Sequence, residues 1–251
     1  MSYTERTYRL GLRENDLAYF QVVYKETDLY IGVRSDRFTP ELAKRTESLV
    51  RELRGRLERY IGEDPGFLHT LKPYTPAAAA PEIAHEMAAA ARLAGVGPMA
   101  AVAGAFAARV GRELSRFSKE VLVENGGDIF LKSSCRRLIG VFAADSPFTG
   151  RVALEIPSNM TPLGICTSSG VVGHSLSLGK ADAVVVLAAS AALADAVATA
   201  AANLVSGPEE VYRATEFASQ VPGVLGVLSI KGDRLAAWGK IKLVPVDAGH
   251  G

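Results

Sequence analysis

The stretch "ADAVATAAANLV" (194–205) is nearly all alanine and valine, yet it carries Asp195 and Thr199. Four apart, these two project from one face if the segment is helical. A carboxylate on an apolar helix is costly unless something positive meets it. Together they offer oxygen ligands of the kind Mg²⁺ or Ca²⁺ takes. Two side chains are too few to cage a metal, so a backbone carbonyl, waters or substrate phosphates would have to complete it. A plainer reading stands beside this one. Asp195 lies near the start of its helix, where the dipole favours an anion, and Thr199 can bond its own helix backbone. The residues alone leave both readings open.

Two other segments hold candidate binding groups. "NGGD" (125–128) falls between two strand-like runs. As Asn-Gly it signals a tight hairpin. As a binding turn, Gly126 and Gly127 would let a ligand reach bare backbone, with Asp128 beside it. "CTSSGVVGHS" places the hydroxyls of Thr167, Ser168, Ser169 and Ser175 near Gly170, Gly173 and His174. Hydroxyls and N–H groups on a glycine-containing loop suit phosphate oxygens, although a polar surface loop with a structural histidine has the same composition. "GVGPMA" (95–100) has the form of a dinucleotide fingerprint but follows a helix rather than a strand, and so reads as a helix break. "GHSLSLGKA" lacks Walker A spacing, and no Gly-x-Ser-x-Gly elbow supports serine hydrolysis.

These segments need elements to position them. "AYFQVVYKETDLYIGVRS" reads as a β-hairpin turning near Lys25–Asp28. Thr39 and Pro40 open a helix in which Leu42, Leu49, Val50, Leu53, Leu57, Tyr60 and Ile61 keep helical spacing. After the connector "LKPYTPAAAAP", an Ala-rich helical region runs from Pro81 to about Phe117, interrupted at "GVGP". "EVLVENGGDIFLKSS" and "RRLIGVFAAD" read as strands. "RVALEIPS" and "ADAVVVLAAS" read as buried strands, and the stretch between them, "LGICTSSGVVGHSLSLG", as a small-residue loop. The helix carrying Asp195 stops before Gly207-Pro208, a second helix covers "EEVYRATEFASQ", and a hairpin turning at Gly232-Asp233 closes the chain, with Trp238 packing on it. Hairpin, two helices, strands, then strands, two helices, hairpin predicts an α+β fold with antiparallel sheets: a β2-α2-β2 unit used twice. The expected organisation is one domain over 1–251 with pseudo-repeats at about 1–146 and 147–251.

Composition narrows the classes. The 251 residues are 48% hydrophobic and 22% charged, with a formal net charge of +1. That balance points away from nucleic acid and anionic membrane surfaces. The charges of Lys44–Arg59 alternate in sign, as on a solvated helix face. Cys135 and Cys166 form neither a CxxC nor a disulfide framework. The N-terminal residues show no signal-peptide pattern, and the apolar stretch 183–202 is broken by Ser190, Asp195 and Thr199, unlike a membrane span. A cytoplasmic protein is expected. His69, His85 and His250 share no metal spacing, and the Ala-rich helices could also serve a homo-oligomer interface.

Taken in order, "NGGDI", "TSSGVVGHS" and "ADAVATA" resemble the Gly-Gly-Asp turn, the Thr-Ser-Gly loop ahead of a histidine, and the Ala-Asp-Ala-x-x-Thr helix of the ApbE-like family of FAD-dependent FMN transferases. The resemblance covers roughly 97–203, looks closest to a short branch of that family, and implies a duplicated β2-α2-β2 (T-fold-like) fold. It implies Mg²⁺ on the side chains of Asp195 and Thr199, FAD as substrate or ligand, and a flavin site lined by Gly126, Gly127 and Asp128. Thr167, Ser168 and Ser169 would form the neighbouring loop, and His174 would be the base for an acceptor protein's Thr or Ser hydroxyl. The implied reaction transfers FMN from FAD to that hydroxyl and releases AMP. Departures from the family pattern matter. "AAVAGAFAA" puts Ala103 where a Gly-x-x-x-Lys-Gly segment has its lysine, "HSLSLG" lacks an Asp-Pro, and "FTGRV" at Thr149-Gly150 lacks the second Thr of a self-acceptor motif. The missing lysine and Asp-Pro favour two rivals, a non-catalytic flavin- or nucleotide-binding protein or an enzyme on the same scaffold acting on another phosphorylated metabolite, while the intact Asp195/Thr199 pair favours the transferase. On this reading Asp195→Ala is expected to abolish Mg²⁺-dependent ligand binding and leave the fold intact.

Overall fold

A computed structural model describes residues 15–170 and 179–246. Strands β1 (Leu17–Tyr24) and β2 (Thr27–Arg34) form the first hairpin. Helix α1 (Pro40–Glu63) begins where the sequence predicts, with Thr39 Oγ1 accepting the Leu42 N–H at 3.1 Å and Pro40 at the first helical position. The charges on its outer face pair one turn apart, as in Arg51–Glu47 and Arg56–Glu52. Helix α2 (Gly66–His69) is short, and α3 (Glu82–Ala94) and α4 (Val102–Leu114) are separated by a 3-10 turn at Pro98–Ala101, the predicted break.

Next come β3 (Val121–Asn125), β4 (Asp128–Lys132), β5 (Arg137–Gly140), β6 (Val152–Ile156), β7 (Leu163–Ser168) and β8 (Ala183–Ala188). Helices α5 (Ala191–Ala202) and α6 (Val211–Ser219), then β9 (Val224–Lys231), β10 (Arg234–Gly239) and β11 (Leu243–Pro245), complete the described chain. Eight strands form an antiparallel sheet in the order β1-β2-β3-β4-β7-β8-β9-β10, and β11-β6-β5 form a second, three-stranded sheet.

Strand alternation builds two cores. Val123, Phe130, Cys166, Val184, Val186 and Val227 face the helices, whereas their neighbours Leu122, Ile129, Leu131, Ile165, Val185 and Leu228 pack with Ile139, Leu154 and Ile156 of the small sheet. The α+β, antiparallel expectation holds. Its details differ in four places. Four helices, not two, lie between the first hairpin and β3. "RVALEIPS" leaves the main sheet and joins the small one. The first residues of the expected loop 163–179 are instead a central strand, β7, paired on both sides. Its Gly, Thr and Ser content hid a strand whose glycine is required by packing: a Cβ at Gly164 would overlap the backbone of Ala191. Finally, Trp238 is half exposed on the edge strand β10 rather than packed.

No single helix among the described residues is long and apolar enough to cross a membrane.

Candidate functional site

Helix α5 is built from alanine, the strongest helix former, and every residue from Ala191 to Ala202 is buried. Small side chains let it approach its neighbours closely. Ala191 is wedged between two glycines, its backbone against Gly164 of β7 and its carbonyl against Gly104 of α4, where a Cβ on either glycine would overlap it.

This wedge brings Asp195 to the start of α4. Residue Ala101, at the N-cap of α4, has no side-chain oxygen, so the first amides of the helix lack the usual local acceptor. Asp195 supplies it from 91 positions away: the Gly104 N–H donates to its Oδ2 at 2.9 Å. The Ala103 N–H also bonds this carboxyl. The positive partner that an Asp on an apolar helix requires is thus the N-terminus of a neighbouring helix. It is not the start of its own, since Asp195 already stands in the second turn of α5. Two N–H groups use only part of a carboxylate's accepting capacity of about four lone-pair sites.

Thr199 is 9% exposed, one turn on. On α1, Thr46 bonds back to the Leu42 carbonyl at 2.7 Å, the arrangement open to any helical threonine. No such bond holds the Thr199 hydroxyl among the described residues.

The NGGD segment is a two-residue hairpin turn. Both glycines have positive φ, +70° at Gly126 and +102° at Gly127, as a tight turn of this kind demands. Glu124 Oε1 accepts the Gly127 N–H at 2.7 Å. Asn125 Nδ2 donates to the Ala103 carbonyl at 3.1 Å, tying the turn to the start of α4. Asp128, the first residue of β4, is in register with Cys166 of β7 and meets its thiol and the Thr167 N–H.

Asp128, Cys166 and Asp195 therefore form one buried group. Burial, then the Asp195 charge, pushes the Asp128 carboxyl well above its ordinary range. Burial lifts Asp195 to about 7 against the pull of the Gly104 and Ala103 amides. Burial, then the two carboxylates, raises the Cys166 thiol, which donates to the Ala191 carbonyl at 3.3 Å. Two adjacent buried carboxyls cannot both carry full charge without a cation, so the group holds either a proton or a counter-ion. Among the described residues no set of three His, Cys, Asp or Glu side chains is arranged to hold a metal alone. The oxygen donors of Asp195 and Thr199 fit a hard cation such as Mg²⁺ that also takes phosphate oxygens and water.

Ser168 is buried at the end of β7, with Thr167 and Ser169 half-buried on either side. Beyond them Gly170 donates its N–H to the Ala181 carbonyl at 3.0 Å. Gly179 donates to Asn203 Oδ1 at 3.1 Å, just past the end of α5. These bonds fix Gly170 after β7 and Gly179 at the C-terminal end of α5. His174 and Ser175 lie outside the described residues. Cys166, Asn125, Glu124 and Gly104 were missed by sequence reasoning. For Gly104 a signal existed, a glycine in a helix otherwise rich in alanine; for the others only the pairing of β4 with β7, and of the turn with α4, reveals them.

The profile of the family described as "AbpE bacteria" matches residues 11–223. A UPF0280 protein from Methanopyrus kandleri is 43% identical over 228 residues, 88% of this chain and 90% of that protein. Another, from Methanocella arvoryzae, is 42% identical over 193 residues, 76% of this chain and 78% of that protein. Among solved structures, the flavin transferase ApbE from Vibrio cholerae matches with a TM-score of 0.60 at 15% identity, covering 88% of this chain and 96% of that one. The apo form of the Pseudomonas stutzeri flavinyl transferase ApbE matches with a TM-score of 0.56 at 14% identity, covering 88% and 93%. At such identities the structural likeness establishes the fold, while the profile spans most of the sequence. This chain belongs to the family described as "AbpE bacteria" and has the ApbE fold.

Proposed function

We propose that this protein binds a flavin nucleotide together with Mg²⁺ and transfers FMN from FAD to a Thr or Ser hydroxyl of an acceptor protein, releasing AMP. The observation that carries the reading is the pair at the centre of the site. Asp195 is anchored by α4 and Thr199 lies one turn away, its hydroxyl not bonded back to the helix. Mg²⁺, when bound, supplies neutralisation of the pyrophosphate charge. Asp195 and Thr199 would hold it. Gly126 and Gly127 present backbone without side chains, so a flat ring can lie close to the turn. Asp128 sits beside them at the start of β4, its carboxyl the candidate acceptor for a donor on that ligand. The hydroxyls of Thr167, Ser168 and Ser169 offer donors to phosphate or ribose oxygens, and His174 would take the proton of the acceptor hydroxyl.

Titrating FAD into the protein calorimetrically, with Mg²⁺ and with chelator, tests the reading. Mg²⁺-dependent binding and AMP release in the presence of an acceptor peptide are expected. Absence of FAD binding in both conditions overturns it. A second reading, binding without transfer, is favoured by Ala103: the start of α4 offers amides but no lysine, and Asp195 already occupies two of those amides. FAD binding with no AMP released would select it. A hit from a panel of other phosphorylated metabolites, with no response to FAD, would select a different substrate on the same scaffold.

A further inference from the structure

Gly104 stands in the first turn of α4, in a helix where alanine is the prevailing residue and would favour the helix more strongly. Its place is explained by what passes over it. A Cβ at Gly104 would overlap the Ala191 carbonyl and lie 2.9 Å from the Cβ of Asp195. The same glycine donates its N–H to Asp195 Oδ2. One residue thus controls both how near α5 comes to α4 and which way the Asp195 carboxyl points. Gly164 clamps the opposite side of Ala191, so α5 cannot retreat from a side chain at 104 without pressing into the backbone of β7. Gly111, two turns along α4, is a useful contrast. A Cβ there meets the ring of Phe130, a packing contact with β4 that does not involve Asp195.

We infer that Gly104 is a positioning residue for the site: its bare Cα sets the α4–α5 approach, and its N–H fixes one oxygen of Asp195 so that the carboxylate's remaining accepting capacity faces the Thr199 side of the helix and can ligate a divalent cation. The inference rests on the reading of Asp195 and Thr199 as cation ligands. It predicts that the local acceptor missing at Ala101 is missing to a purpose. An oxygen at position 101 would compete with Asp195 for the same two amides and release the carboxylate from its fixed orientation.

The test uses Mn²⁺ as the probe, read by electron paramagnetic resonance, on the full chain and on three variants whose folding is monitored by circular dichroism and urea denaturation. Gly104→Ala is expected to weaken Mn²⁺ binding at least tenfold. Gly111→Ala, which perturbs the same helix against β4, is expected to lose stability and keep Mn²⁺ affinity within about twofold. Ala101→Ser is expected to retain the wild-type denaturation midpoint and still weaken Mn²⁺ binding about tenfold, which a merely structural role for the capping bond would not produce. It also decides the matter if Gly104→Ala does not fold. Wild-type affinity in a folded Gly104→Ala or in Ala101→Ser overturns the positioning role while leaving the cation site standing. No Mn²⁺ binding by the wild-type protein overturns the cation reading, and the positioning role with it.

Discussion

At the scale of single residues, Asp195 serves the fold before it serves any ligand. Its carboxyl satisfies two amides that begin α4, so truncation removes a helix cap and leaves buried donors unpaired. The expectation that Asp195→Ala leaves the fold intact is therefore replaced by another. Asp195→Ala should lower stability by about 1–2 kcal/mol, the range for a lost cap with unsatisfied amides, measured as a shift in urea midpoint at constant slope. Asp195→Asn keeps an oxygen acceptor and should recover most of that loss while still failing to bind Mg²⁺. Thr199→Val separates the roles from the other side. The Thr199 hydroxyl makes no bond to its own helix, so this near-isosteric change should leave the urea midpoint unmoved and weaken Mg²⁺ binding about tenfold, equivalent to ~1.4 kcal/mol. A Thr199→Val variant that unfolds and binds normally would assign the hydroxyl to packing.

At the scale of elements, the site is held by junctions rather than by strand or helix interiors. The β3–β4 turn is tied to α4 through Asn125, and α4 to α5 through Asp195. A separate polar knot fastens the small sheet to the large one. Arg137, at the start of β5, pairs with Glu120 at 2.9 Å and with Asp16 at 2.6 Å. Glu120 also accepts from Ser133 and Ser134. Burial raises the Glu120 pKa, but the hydrogen bonds of Ser133, Ser134 and Arg137 outweigh it and bring the carboxyl down to about 2. Asp16 is lowered as well, chiefly by its hydrogen bond to Arg137. Folded pKa values below the unfolded ones mean stability that is present in full above about pH 4.5 and lost as pH falls towards 2. Urea midpoints across that window should decline with acid, and Glu120→Gln should flatten the decline while lowering stability at pH 7, because it takes a carboxylate away from the buried Arg137.

For the whole molecule, the eight-stranded sheet has helices on one face and three strands on the other, and the candidate site lies on the helical face. Asp128, Cys166 and Asp195 come from β4, β7 and α5, so a ligand held there couples elements from distant parts of the chain. Ligand binding should therefore register as global stability. At a hundredfold excess over Kd, FAD with Mg²⁺ should add about 2.7 kcal/mol, a rise in Tm of about 5–10 °C for a chain of this length. FAD with chelator should give no comparable rise in a thermal melt.

Much of this architecture is legible in the sequence because its signals are local. Thr39-Pro40 starts α1 through one capping bond and one fixed φ; Gly126-Gly127 turns a hairpin because a two-residue loop needs positive φ; the unbroken apolar run in "ADAVVVLAAS" and the alanines of α5 announce burial. The pairing of a carboxylate with a hydroxyl at i and i+4 was legible for the same reason. What the sequence could not convey is whatever depends on two segments meeting. β7 looked like a loop because glycine is depleted in strands and its small polar residues read as loop, and only the backbone of Ala191 pressing on Gly164 explains that glycine. The counter-charge of Asp195 looked like either a metal or its own helix dipole. Tertiary structure brought a third partner, the uncapped amides of α4, since a helix end without a local acceptor can be satisfied by any oxygen that packing delivers. Sequence spacing determined which atoms share a helix face; packing decided what that face meets.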